Sequence, residues 1–453
     1  MTGLAISLGV GFALLCGLLA IWHSSRLRRT TLLDWTLLGL GGGYGLGWAL
    51  VVGVTWNGGN PTWAGWIAPF YSQYPFYSMC TLLLLSGIVL GWLLINPLLR
   101  HGVAALKGKE RNRSEHRWMA ASWFLLVLAV FAQWLYTRAY GGFVDLLIYS
   151  EMIRASIFPI YNPLSFLRPF GGLAFIATFG FFGLWLSGRR NISIALGLSL
   201  SLLFSLYLFY SFLGRIGFMV FIVTFPLGWT TSRRTLPLTK LVLMAAFFVL
   251  ILAGSYGVSV WLDIKSADDL TAFLVRELSF PFVSFFAQWQ AQEHLFRGFR
   301  DFLLTPLYLL PSSWWTNWVG DVGQVNTALI MGAPKGENGI TGSIPVDLIT
   351  LGLMQIKAYG IPIVGMLFGA LLRVLQHWLD RISLPGVRAM FEAYVALKIA
   401  VLGIFYAQPA LFVPGNFELI AGALVILVFL KFHRIRFFSR VGARQRPSTG
   451  KDL

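Results

Sequence analysis

The sequence predicts an all-α polytopic membrane protein with about eleven transmembrane helices, and three features carry that expectation. Apolar runs of about 20 residues, the length that crosses a hydrocarbon core, recur along the whole 453-residue chain. Lys and Arg crowd nearly every second loop between them, the pattern that orients a chain in a bilayer. With 57% hydrophobic and 12% charged residues, the chain has too little polar surface to coat a soluble globule.

The runs lie near 3–22, 36–56, 77–97, 118–138, 169–187, 192–210, 215–229, 241–261, 359–376, 389–407 and 417–432. Strict alternation holds if one side takes six loops: Arg26, Arg28 and Arg29; Arg100 to Arg117; Arg189 and Arg190; Arg233, Arg234 and Lys240; Arg373, Arg381 and Arg388; and the tail from Lys431. That side holds 24 of the 35 Lys and Arg and is expected to be the cytoplasm, with the N-terminus outside and the C-terminus inside. The net charge of +17 is then a topological signal facing anionic lipid, not a nucleic-acid footprint. The chain reads as one integral membrane domain, 1–453, with two long outer segments, 139–168 and 262–345, and a basic tail, 431–453.

The first run lacks a basic leader and a small-residue cleavage site before Arg26, so it reads as a retained helix. Cys16 and Cys80 both fall within spans and suit neither a disulfide framework nor a metal site. In the second run, Gly41, Gly43, Gly45 and Gly47 form two overlapping GxxxG pairs, which suit close helix packing better than a phosphate loop. No internal repeat is apparent, and the outer segments are unequal, so function is expected there.

In the first outer segment, Asp145, Glu151 and Arg154 ride on an apolar stretch that ends at Pro159, as in an interfacial helix. Glu151 and Arg154 are three apart and could pair on its surface. In the second, Ser266 and Asp269 form a capping box for a helix carrying Arg276 and Glu277 and ending before Pro281. A second helix from Pro281, with Phe282, Phe285, Phe286 and Trp289 on one side, is expected to lie at the membrane surface and to end in Glu293, His294, Arg297, Arg300 and Asp301. Trp314, Trp315 and Trp318 follow, suited to interfacial anchoring or to stacking on sugars. The polar stretch Gly320 to Gly342, with Lys335, Glu337 and Asn338, reads as a flexible tip or a substrate loop. Ile344 to Lys357, with Asp347, is too short to cross and return and reads as a surface or re-entrant helix.

Eleven cations remain outside or within spans, and the charge rule does not explain them. Arg215 stands in a very short turn, Ser211 to Gly217, at the hydrocarbon edge, where a charge is costly without a partner or a task. Its alternative use is snorkelling to headgroups. Lys398 lies midway along a span, and Glu392, six residues or about 9 Å along the axis, is no easy partner.

The order of these parts resembles the O-antigen polymerase (Wzy-class) family, the bacterial polymerases of oligosaccharide repeat units. The resemblance rests on the first outer segment with Asp145, Glu151 and Arg154, the Ser211 to Arg215 turn, the long outer loop passing Pro306 and Leu310-Pro311, and the run from Gly339 through Asp347 to Tyr359-Gly360 and Gly365. Leu351 to Gln355 stands where that family usually carries aromatics. The resemblance implies an inner-membrane glycosyltransferase with its active site facing the periplasm. It would move a growing glycan from undecaprenyl diphosphate onto a lipid-linked repeat unit, with a chain-length regulator as a further partner.

On that reading, Arg215, Arg154, Arg276, Arg297, Arg300 and Lys335 would bind the diphosphate, guanidinium groups holding it in bidentate geometry. Glu337, Asp347 and Glu151 are the candidate bases, and Trp314, Trp315 and His294 the sugar contacts. No acidic cluster has metal-ligand spacing, so no metal or other cofactor is expected. An O-antigen ligase, passing glycan to lipid A-core, is the alternative within enzymes, and His294 speaks for it. A lipid-linked glycan flippase or transporter is the alternative from another class.

Overall fold

The structure is a computed structural model that describes residues 2–56, 67–99, 109–154, 160–188, 190–212, 215–233, 270–310, 321–340 and 342–442, with scattered residues between 239 and 257. Described residues are overwhelmingly helical, and no β-strand occurs among them. Helix α1 is Thr2–Leu27. Helix α2 starts at Leu32, passes through a π-helical turn at Gly41–Gly47 and ends at Trp56. There follow α3 Tyr74–Leu99, α4 Lys109–Thr137, α5 Asp145–Arg154, α6 Leu173–Leu186, α7 Ile192–Phe212 and α8 Arg215–Ser232. Next come α9 Leu270–Ala291, α10 Val322–Met331, α11 Leu348–Ile356 and α12 Gly360–Asp380. Helix α13 starts at Pro385, turns π-helical at Ala396–Val401 and ends at Phe405; α14 is Pro409–Gly415 and α15 Phe417–Gly442.

Among the described residues, seven helical stretches are long and apolar enough to cross a membrane, and eight if the bent α14–α15 pair is one span. These match the expected first six runs, the ninth and the eleventh. The seventh, α8, has 18 residues, about 27 Å, just short of a roughly 30 Å core. The eighth lies mostly outside the described residues. The tenth is α13, helical throughout but carrying Arg388, Glu392 and Lys398.

Small residues set the packing. Gly87 and Gly91 of α3 face the backbone of Pro362 and Met366 in α12, while Gly365 and Gly369 face Leu84 and Ile88; a Cβ at any of the four would strike main chain. The two helices therefore meet along matched small-residue faces, the packing that dispersion favours in lipid. The glycines of α2 behave as the sequence suggested, Gly41 and Gly45 resting on Ala13 and Gly9 of α1. The π geometry of that stretch was not foreseen.

The long outer segment departs from expectation at Pro281. Helix α9 runs through it unbroken, and Phe282, Phe285 and Phe286 are fully buried instead of lying at a surface. Their rings pack on Trp48, Tyr77 and each other. A helix-interior proline costs about 3 kcal/mol, whereas aromatic pairs contribute about 0.5–1.5 kcal/mol each and several are made here, so packing wins. The capping box at Ser266 and Asp269 lies outside the described residues.

Ile344 to Lys357 holds a short helix packed on the helix that follows it. Gly352 of α11 abuts the backbone of Gly360 and Ile361, although residues eight apart in a straight helix are about 12 Å apart. Lys357, at φ 57°, turns the chain, and α11 folds back on α12 with residues Leu348 to Gln355 all buried. The apolar stretch Leu348–Asp380, long enough to cross a membrane, is thus two helices packed on each other.

Candidate functional site

The buried polar groups around the second long segment, 262–345, are called here the loop end. The basic loops are tied to one another by Arg29 and Arg388, which both bond Asp380, at 2.9 and 2.6 Å.

At the loop end a buried polar network anchors the segment that leads into α11. Asn326 of α10 accepts from Gln288 Nε2 at 3.0 Å and donates to Ser284 Oγ at 3.0 Å and to the Ile344 carbonyl at 3.2 Å. Thr327 Oγ1 accepts from the Ile344 N–H, and Gln408 Oε1 from the Val346 N–H, at 2.9 and 2.6 Å. Irregular backbone inside a membrane bundle must be paired in this way. Asp347 completes it: it caps α11 by accepting from the Ile349 and Thr350 N–H groups, and the Tyr44 hydroxyl donates to it at 2.6 Å. Asp347, a candidate base, is fully buried and engaged as a cap.

Arg297, a candidate diphosphate ligand, is likewise committed. Its guanidinium makes a bidentate pair with buried Asp301, both contacts at 2.8 Å, and Asp301 also accepts from Gln355 Nε2 at 3.0 Å. The bond to Asp301 raises the Arg297 pKa, keeping it charged. The neighbouring backbone closes the C-terminus of α11, the Arg297 and Gly298 N–H groups donating to the Met354 and Gln355 carbonyls at 2.9 and 3.0 Å. Arg297 is thus a brace between two elements. Nearby, burial raises the Asp321 pKa, opposed by its bond from the Gly323 N–H, and burial pushes Tyr308 up to about 12.

The other candidates are dispersed. Glu337 is exposed in a turn closed by the Ile340 N–H on its carbonyl at 2.9 Å, and the Lys335 N–H donates to Gln324 Oε1 at 3.0 Å. Glu151 is exposed on α5, and Arg300 is exposed at the start of a single helical turn. His294 Nε2 lies 3.9 Å from Glu293. Trp314 and Trp315 lie outside the described residues, as do the side chains of Arg154 and Arg215, the last residue of α5 and the first of α8.

One crevice has walls that are next in sequence to two of this set. Its walls are apolar, formed by Gly43 of α2, Ile216 and Val220 of α8, Leu278 and Pro281 of α9, and Leu397, Val401 and Phe405 of α13, with Glu277 as the carboxylate in the wall. Both π-helical turns contribute. Ile216 follows Arg215 and Glu277 follows Arg276 in sequence; Arg276 itself is not in the wall.

Sequence reasoning also missed a buried cluster. Lys398 pairs with Glu418 of α15, not with Glu392, and the Tyr394 hydroxyl bridges them, 2.9 Å from Glu418 and 3.2 Å from Lys398 Nζ. Glu392 instead lies 3.8 Å from Arg388. The missed signal was Glu418 itself, the lone carboxylate between Glu392 and Asp452. Among the described residues, no group of His, Cys, Asp or Glu is arranged to hold a metal ion.

Compared with known protein families, with curated proteins and with solved structures, the chain matches none.

Proposed function

We propose that the protein is a membrane-embedded glycosyltransferase that polymerises lipid-linked repeat units of an O-antigen type bacterial surface polysaccharide. The observation that supports this reading is the crevice, with apolar walls between helices and one carboxylate, Glu277; the expected ligands Arg215 and Arg276 directly precede its wall residues Ile216 and Glu277 in sequence. An isoprenoid chain needs apolar walls, and its diphosphate needs guanidinium groups where the leaving charge develops. In the step proposed, the bond between the donor sugar's anomeric carbon and the diphosphate oxygen breaks. The acceptor hydroxyl forms the new glycosidic bond and passes its proton to a carboxylate. Glu277 joins Glu337 and Glu151 as candidates for that carboxylate, while Asp347 serves as a cap.

The test is purified protein supplied only with lipid-linked repeat units, in the presence of chelator and without nucleotide sugar. The expected products are longer lipid-linked glycan and free undecaprenyl diphosphate. Product formed only after addition of lipid A-core would make the protein a ligase. A second reading has its own support: the α14–α15 pair is bent by 47° beside the half-buried Lys398 and its partner Glu418, and broken helices and intramembrane charges are features of transporters. Movement of lipid-linked sugar across vesicles with no new glycosidic bond would establish that reading instead.

A further inference from the structure

Helix α5 has a face that no described part of the chain covers. Val144, just before it, and Ile148 and Met152 within it follow one another at four-residue steps and are 76%, 75% and 44% exposed. Leu146, Ser150 and Ile153, on the opposite side, are buried. The place of α5 is fixed by the ends of two membrane-length helices, α4 and α7. The Gly142 N–H donates to the carbonyl of Thr137, the last residue of α4, and the Leu146 N–H donates to the Gly142 carbonyl, both at 3.1 Å. From α7, the Tyr207 hydroxyl donates to the Phe143 carbonyl at 2.8 Å. Leu146 and Ile153, one near each end of α5, share a cluster with Tyr136 of α4. Helix α5 therefore lies across the end of α4 and does not stand away from it.

We infer that α5 is a lipid-binding element, with Val144, Ile148 and Met152 seated among acyl chains where one leaflet meets its headgroups. Three observations select lipid as the occupant. Phe124, Val127, Phe131 and Trp134 are exposed along one side of α4, the lipid-facing stripe of a membrane-length helix, and α5 begins just beyond its end. Trp134, 39% exposed, carries the Arg138 guanidinium 4.0 Å from its ring centroid, and an exposed tryptophan with a snorkelling cation marks interfacial depth. The uncovered stripe is apolar, with exposed Asp145 and Glu151 at its margins, the pattern of a helix lying in an interface. This role goes beyond the polymerase reading and is independent of the chemistry at the crevice.

The experiment is spin-label accessibility on the full chain in nanodiscs of phosphatidylglycerol and phosphatidylcholine. It compares collisions with oxygen, which concentrates in hydrocarbon, and with chromium oxalate, an ion that stays in water. Cys16 and Cys80 are fully buried, so the unmodified chain serves as the blank. Phe124→Cys supplies the lipid reference and Glu293→Cys, whose side chain is 75% exposed, the water reference. Ile148→Cys is expected to resemble Phe124→Cys, with an oxygen-to-chromium ratio about tenfold above that of Glu293→Cys, because hydrocarbon excludes an ion. Val144→Cys and Met152→Cys repeat the measurement one turn to either side, so the result does not depend on one variant folding. A ratio equal to the water reference along the stripe would place it in solvent. Low collision rates with both agents would mean that protein, a second copy or another chain, covers it. Either result overturns the inference.

Discussion

The described residues of the segments 139–168 and 262–345 are held in opposite ways. The first rests on a satellite cluster of Tyr136, Tyr140, Leu146 and Ile153, separate from the main core, with Val144 and Ile148 about three-quarters exposed. The second sends Phe282, Phe285, Val322 and Ile344 into the main core and pairs its buried polar groups through Asn326, Thr327, Gln408 and Asp347. The first can loosen alone; the second cannot move without opening the bundle.

The strongest test of that contrast is Asn326→Leu, which orphans Gln288 and the Ile344 carbonyl together and should cost about 3 kcal/mol. Asn162→Leu in the first segment breaks two bonds, to the Tyr136 carbonyl and from the Leu164 N–H, and should cost about 1 kcal/mol. Denaturant titration in micelles measures both, and equal losses would break the comparison. Next in size is Asp301→Asn, expected to cost about 2 kcal/mol by leaving the Arg297 guanidinium with a neutral partner. Its check is faster amide exchange across α11, whose C-terminus that pair braces.

An effect of similar size sharpens the other half. Ile153→Ala should destabilise only the first segment, by about 2 kcal/mol, so amide exchange should quicken in α5 while α10 keeps its protection. The smallest expected effect concerns pH. Asp321 holds its proton more tightly folded than unfolded, because burial raises its pKa. Stability is therefore lost as pH rises from the ordinary carboxylate range to the raised folded value. Asp321→Asn retains a side-chain oxygen to cap α10 and should flatten that part of the stability-versus-pH curve, read from thermal unfolding across mildly acid pH.

Most of the crossing helices were legible, because a run of apolar residues is a local property and needs no knowledge of neighbours. The glycine roles in α2 could be read for the same reason. What could not be read depended on partners far along the chain. Pro281 is a breaker by local rules, and only the rings of Trp48 and Tyr77 explain why α9 passes through it. Arg297 and Asp347 looked like site residues because an ionisable group near a membrane demands an explanation; the explanation lay in Asp301, Gln355 and Tyr44. The crevice was invisible for the same reason, since α2, α8, α9 and α13 each supply only a few of its residues. Gly87, Gly91, Gly365 and Gly369 offered a small-residue spacing that went unread.

That last pairing constrains how the protein is made. Helix α3 leaves the ribosome with its glycine face exposed, and its partner α12 is synthesised roughly 270 residues later, a delay of about 15–55 s at 5–20 residues per second. Throughout that interval the notch at Gly87 and Gly91 has only lipid, a passing helix or an insertion chaperone to cover it. Biogenesis of this chain therefore includes a waiting stage in which one half of its tightest helix contact is open to substitution by any other small-residue helix in the membrane.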